Sequence, residues 1–177
     1  MIRFISYPRT QPPPDFVSKI VGVFRAHQEK IGTLTLSKGL TSDAVLAEIR
    51  TDLLALGFAI EQSKTSAGKI RRPVYFGESG VPSLAYEIDG FHAEWRCGIE
   101  IEAGRGWMGN AVYRDLVQAL IMVNVEHLVL AVANTYKYSS SGKAAMSKDY
   151  DNTLSVAEAL YGHSRVRMPY GLTVIGY

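Results

Sequence analysis

Two short stretches of the chain hold residues whose types and spacing could do chemistry. In "GIEIEAGRGWMGN", residues 98–110, Glu100 and Glu102 alternate with Ile99 and Ile101. On a β-strand that alternation sets both carboxylates on one face. Upstream, "LAYEIDGF" carries Asp89. If the two segments form a hairpin with its turn centred between Glu94 and Trp95, Asp89 stands opposite Glu100. Opposite residues of antiparallel strands share a face. Three carboxylates partly withdrawn from water repel one another, at a cost of several kcal/mol unless a cation joins them. A hard divalent ion suits them, since Mg²⁺ takes carboxylate oxygens and keeps several waters. The arrangement depends on register, because a slip of one residue turns Asp89 to the other face. An exposed edge strand would show the same Ile-Glu alternation.

The same stretch holds a competing motif. Gly104, Gly106 and Gly109 match G-x-G-x-x-G, a dinucleotide-binding fingerprint that would make the protein a nucleotide-dependent enzyme. Such a loop needs an acid about 20 residues on, to hold the ribose. The corresponding segment, "LVLAVAN", has none. Glu100 and Glu102 would also lie beside the pyrophosphate and repel it. "SSSGK" is no P-loop, because its first glycine would fall at Lys137. Without a phosphate, the glycines simply let the chain turn from strand to helix.

The elements that must position these residues are read from periodicity. "IRFIS" is a short strand, and "QPPP" interrupts it. A helix runs from Asp15, its cap, to about Ile31. A second covers 42–56, with Ser42 as N-cap, Val45, Ile49, Leu53 and Leu56 on one face, and Gly57 at its end. "FAIEQ" and "RPVYFG" read as strands, and residues 84–103 as the hairpin. A helix from Asn110 to about Asn124 is apolar nearly all round, hence buried. "HLVLAVAN" is the continuous apolar strand of a sheet centre covered on both faces. Residues 135–148, "TYKYSSSGKAAMSK", read as a polar loop. A helix over about 149–161 and a strand "GLTVIG" complete an α/β chain with a mixed sheet between helices.

Charge and composition narrow the function classes. The 177 residues, 47% hydrophobic and 20% charged, fit one domain, 1–177. There is no membrane-length apolar run and no signal peptide, and one cysteine, Cys97, fits a reducing, cytoplasmic compartment. The net charge of +2 is uneven: "SKTSAGKIRRP" carries Lys64, Lys69, Arg71 and Arg72 with no acid. A basic loop of this kind suits phosphates, although a solvated surface loop looks the same. Together with Lys137, Lys143 and Lys148 it is expected to flank the carboxylates. His27, His92, His127 and His163 show no metal-ligand spacing. Trp95 and Trp107 are expected to pack.

Residues 84–133 resemble the PD-(D/E)XK nuclease superfamily, the restriction-endonuclease-like fold. Its core is helix, three strands, helix, strand, flanked by helices on both faces. An Asp on the second strand and (D/E)-x-K on the third bind Mg²⁺. Ile88 stands where the motif has Pro, and Glu102 where it has Lys. Type II restriction endonucleases of the BamHI and BglII type include Glu or Gln at that position. The resemblance implies that Asp89 and Glu100 bind Mg²⁺ or Mn²⁺, with the main-chain carbonyl of Ile101 as a further ligand. Glu102 would be a second-metal ligand or general base. It also implies an extra acid from the first core helix, for which Glu48 is the candidate. Arg105 could hold a phosphate. The function implied is Mg²⁺-dependent hydrolysis of DNA, duplex rather than single-stranded, with no membrane partner and with a homodimer left open. A nuclease-fold protein that binds nucleic acid or another partner without cutting is the alternative, because Glu102 replaces the lysine.

Overall fold

The computed structural model describes residues 1–177 except 37, 64 and 105. In chain order the elements are β1 (Arg3–Tyr7), α1 (Asp15–Ala26), α2 (Gln28–Ile31), α3 (Ser42–Ala55), β2 (Ala59–Ile60), β3 (Ile70–Phe76), β4 (Pro82–Ile88), β5 (Gly90–His92) and β6 (Cys97–Glu102). Then come α4 (Ala111–Ile121), β7 (His127–Val132), β8 (Tyr136–Ser140), β9 (Lys143–Ser147), α5 (Asp149–Gly162) and β10 (Gly171–Gly176). Six strands form one sheet in the order β1-β10-β7-β6-β5-β2. β6, β7 and β10 run parallel; the β1–β10, β5–β6 and β2–β5 pairings are antiparallel. The mixed α/β sheet has helices on both faces, as expected. The order α3, β2, β5, β6, α4, β7 is the helix, three strands, helix, strand that the resemblance implies.

Alternation along the strands divides the core in two. Every residue of β7 is buried. Val129 and Ala131 pack with Ile99, Ile101 and Ile175 against Ile20, Phe24, Val45, Ile49 and Leu53 of α1 and α3. Leu128, Leu130 and Val132 pack with Leu172 and Val174 against Leu116 of α4 and Ala157 of α5. Each fully buried aliphatic side chain contributes about 1.5–3 kcal/mol. Ile99 and Ile101 are thus committed to the α3 side, so Glu100 and Glu102 must face the α4 side.

Several expectations are corrected. The helix from Asp15 breaks at His27, whose two ring nitrogens are each 2.9 Å from a carboxylate of α3, Glu48 and Asp52. Pro14 is the N-cap residue there and Asp15 the first helical residue. Thr41, not Ser42, caps α3, accepting from the Ala44 N–H at 3.3 Å. Ser42 is free to accept from the Ala103 N–H at 3.0 Å, which ties the start of α3 to the end of β6. The segment 84–91 is split: β4 pairs with β3, and only β5 pairs with β6. Residues 135–148 are no loop but the antiparallel ribbon β8–β9. α4 is not buried all round, because the sheet covers one side and leaves Tyr113, Val117, Leu120 and Ile121 exposed.

Candidate active site

Register decides whether the acids meet. β5 pairs with β6 as Gly90↔Ile99, Phe91↔Gly98 and His92↔Cys97. Continued by one residue, this sets Asp89 opposite Glu100, with the turn where the sequence places it. His92 fixes that turn. Its Nδ1 accepts from the Trp95 N–H at 3.1 Å, and its Nε2–H donates to the Leu56 carbonyl at 3.0 Å. The imidazole also stacks on Trp95 at 3.8 Å, and Trp95 on Phe16 at 5.1 Å, so this tryptophan packs. Gly90 lets the strands close: a Cβ there would stand 2.5 Å from Ile60 Cδ1 and 2.8 Å from Ile99 Cγ2.

Asp89 is held on both sides. Its carbonyl accepts from the Glu61 N–H at 2.8 Å. Its side-chain Oδ2 accepts from the Ile101 N–H, also at 2.8 Å. Asp89 and Glu100 line a cavity of about 480 Å³ with Asp43, Glu61, Lys69, Glu87, Arg114, Asp115 and Gln118. Arg114 reaches across from α4. Its Nη2 is 2.8 Å from Glu102 Oε1 and 2.8 Å from Asp115 Oδ1.

The electrostatics follow from burial. Burial raises the Asp89 pKa to about 6, against the bond from the Ile101 N–H. Glu100 is pushed well above the usual carboxylate range, first by burial and then by Asp89, Asp115 and Glu102. Burial and the neighbouring Asp115 lift Glu102 to about 8, with Arg114 opposing. Asp115 is also raised by burial, again against Arg114. Asp115 Oδ2 is buried without a hydrogen-bond partner among the described residues. The cluster is therefore short of positive charge and holds protons near neutral pH.

Among the described residues no three His, Cys, Asp or Glu side chains form a ready-made metal cage. Mg²⁺ does not require one, since one or two carboxylates suffice when waters and phosphates complete the shell. The pocket fits that mode. It offers Asp89 and Glu100, neither of which forms an ion pair among the described residues, and an Asp115 oxygen with no hydrogen-bond partner among them.

The other sequence candidates divide. Glu48 stands apart from the pocket, bonded to His27 at 2.9 Å and to Lys30 at 2.6 Å. The acid of α3 that lines the pocket is Asp43. Lys69 lines the pocket and pairs with Glu87, which Arg71 also meets at 3.4 Å. Arg72 is held in place, its guanidinium 3.8 Å over the Phe91 ring and donating to the Val123 carbonyl at 3.2 Å. Lys137 donates to the Leu36 carbonyl at 2.7 Å, and Lys143 is exposed on β9. Lys64 and Arg105 lie outside the described residues. The glycine loop does join β6 to α4, but a Cβ on Gly106 would meet Glu102 Cβ at 3.0 Å. That close approach is to a carboxylate, a poor neighbour for a pyrophosphate. Asp115 and Arg114, polar residues of a helix that reads in sequence as apolar nearly all round, are the site members that the structure adds.

No protein-family model matches the chain, and no curated protein matches it in sequence. Among solved structures, the chain is similar to the restriction endonuclease BglII complexed with a DNA 16-mer. The likeness has 9% identity and a TM-score of 0.49, and covers 99% of this chain and 75% of that one.

Proposed function

We propose that this protein is a Mg²⁺-dependent endonuclease that hydrolyses phosphodiester bonds of duplex DNA, acting in the cytoplasm. The observation that carries the reading is the placement of Asp89 opposite Glu100 on one polar cavity with Asp115, and of Glu102 beside them, joined to Asp115 through Arg114. An acidic pocket repels a phosphate backbone unless a cation stands between them, which is why a metal belongs to the reading. Asp89 and Glu100 would hold Mg²⁺, with the Ile101 carbonyl as a further donor. Bound there, the ion supplies Lewis acidity toward a phosphoryl oxygen and toward water. The Ile101 N–H keeps Asp89 oriented through Oδ2. Arg114 brings to Glu102 the positive charge that the motif's lysine would have brought. Glu102 can then take a proton from the attacking water at its carboxylate. The exposed stripe of α4 supports a homodimer in this reading, and a monomer in sedimentation equilibrium would contradict that part.

Glu102 gives the discriminating experiment. Glu102→Ala is expected to slow plasmid cutting in Mg²⁺ by about 10²–10⁴-fold, with DNA binding equal to wild type or tighter. A proton acceptor acts in the transition state, and losing a carboxylate does not weaken attraction to an anionic backbone. Glu102→Lys restores the common motif and is expected to retain more activity than Glu102→Ala. Cutting that survives chelation, or that is equal in Glu102→Ala, would remove this residue from the mechanism. Metal binding with no cutting by any of the three proteins would favour the non-cutting alternative.

A further inference from the structure

We propose that the β8–β9 ribbon reads base sequence from within the major groove of the DNA, with Ser139, Ser140 and Lys143 as its reading side chains. The proposal rests on the nucleic-acid reading of the acidic pocket and adds to it a determinant of specificity.

Four observations place it there. The ribbon is a two-stranded sheet of its own, not paired with the central sheet. Its root lies at the end of β6: a Cβ on Gly104, two residues past Glu102, would meet the Tyr136 ring at 3.8 Å, and Tyr136 lines a cavity with Ser42 and Ala103. At the same root, β9 ends opposite Tyr136 and leads into Asp149, whose Oδ2 is 3.5 Å from the Trp107 amide. Residues 135–148 carry Lys137, Lys143 and Lys148 with no acid. That charge favours a polyanion, and lysines on a free strand edge discourage pairing with another protein's strand.

Shape supplies the rest. Ser141 and Gly142 both have positive φ, 50° and 75°, so the tip closes in a two-residue turn of the kind that suits strand twist. Next to it stand Ser139, Ser140, Lys143 and Ala144, and Tyr138 enters only at the third pair, opposite Ala145. Small side chains keep the tip slim. Paired strands lie roughly 5 Å apart, within a major groove about 12 Å wide that admits a two-stranded ribbon. Five residues of strand reach about 17 Å, against a groove about 8.5 Å deep. The tip can therefore touch base edges while the root stays at the backbone. Ser140 pairs with Lys143, and Ser139 with Ala144. Alternation puts Ser139 and Ser140 on opposite faces of the ribbon, so the two hydroxyls meet different base edges. A serine hydroxyl bonds donors or acceptors of any base, and lysine favours guanine O6 and N7.

The test is selection of bound DNA from a pool of randomised duplexes in the presence of chelator, so that no cutting intervenes. Wild type is compared with Ser139→Ala/Ser140→Ala and with Lys143→Ala. Wild type is expected to enrich a motif. The double serine variant keeps its charge, and its affinity for unselected DNA and its salt dependence should stay unchanged. Its preference for the motif should fall about ten- to a hundredfold. Lys143→Ala should lose both preference and part of the salt dependence. Ser139 and Ser140 are exposed, so an unchanged melting temperature confirms folding. The same motif recovered from the double serine variant, or no motif from wild type, overturns the proposal. So does capture of the ribbon by a protein strand with no binding to DNA. Cutting of plasmid is read separately. Wild type that selects a motif and never cuts defeats the nuclease reading and leaves the ribbon standing. Wild type that cuts every sequence alike does the reverse.

Discussion

Glu100→Gln is expected to give a protein that is more stable than wild type and inactive. Glu100 is buried opposite Asp89 and against Asp115 and Glu102, with Arg114 the cation that opposes them. A buried carboxylate among carboxylates costs free energy whether it stays charged or takes up a proton. Glutamine keeps the shape and removes the charge. Without metal at pH 8, relief of about 1–2 kcal/mol would raise the melting temperature by roughly 2–8 °C for a chain of this size. Loss of a metal-holding carboxylate should lower cutting by about 10³-fold or more, roughly 4 kcal/mol of transition-state stabilisation. It should also abolish any rise in melting temperature on adding Mn²⁺. Calorimetry and plasmid cutting on the same preparation check both halves. A destabilised variant that still cuts would mean that Glu100 is packed for structure alone.

The second large effect is a reversal of the pH dependence of stability when metal is added. Asp89 is raised from 3.8 to about 6 and Glu102 from 4.5 to about 8. Between those limits the folded protein binds more protons than the unfolded chain. Unfolding free energy therefore falls as pH rises, from near 4 through 8. Each such group changes stability by about 1.4 kcal/mol per pH unit inside its own window. Asp89 alone thus contributes roughly 3 kcal/mol of lost stability between pH 4 and 6, an upper figure for a partly relaxing site. A bound divalent cation replaces those protons and binds better as they leave. Mg²⁺ is accordingly expected to raise the melting temperature little at pH 5 and most at pH 8. Thermal scans at five pH values, with Mg²⁺ or chelator, measure this. Stability in chelator that rises from pH 5 to 8 would contradict the cluster's electrostatics.

What was legible in the sequence was the part set by short-range pattern. "HLVLAVAN" reads as a covered strand because residues 128–133 are an unbroken apolar run, and β7 is buried throughout. The Asp89–Glu100 pairing was legible because a hairpin's turn fixes its register, and the turn lies where Glu94 and Trp95 place it. Asp115 and Arg114 were not legible as site members. A polar residue on a helix is surface or site depending on where the sheet lies, and that is set by contacts distant in sequence. Glu48 shows the same limit. It lies five residues beyond Asp43, about 140° farther round the helix, which turns it to the corner held by His27 and Lys30. The β8–β9 ribbon reads as a loop because Ser, Gly and Lys give no apolar alternation, and it packs against no core that would have demanded one. The apolar composition of α4 was misleading for a related reason, since only one of its sides meets the sheet.

The most direct test is a crystal of the wild-type protein soaked in Mn²⁺ and measured for anomalous scattering. An anomalous peak bonded to carboxylate oxygens of both Asp89 and Glu100 is the predicted result, and it should vanish in Glu100→Gln crystals soaked alike. A peak at the His27, Glu48 and Asp52 corner, or none within bonding distance of Asp89 and Glu100, would contradict the assignment of this pocket as the metal site.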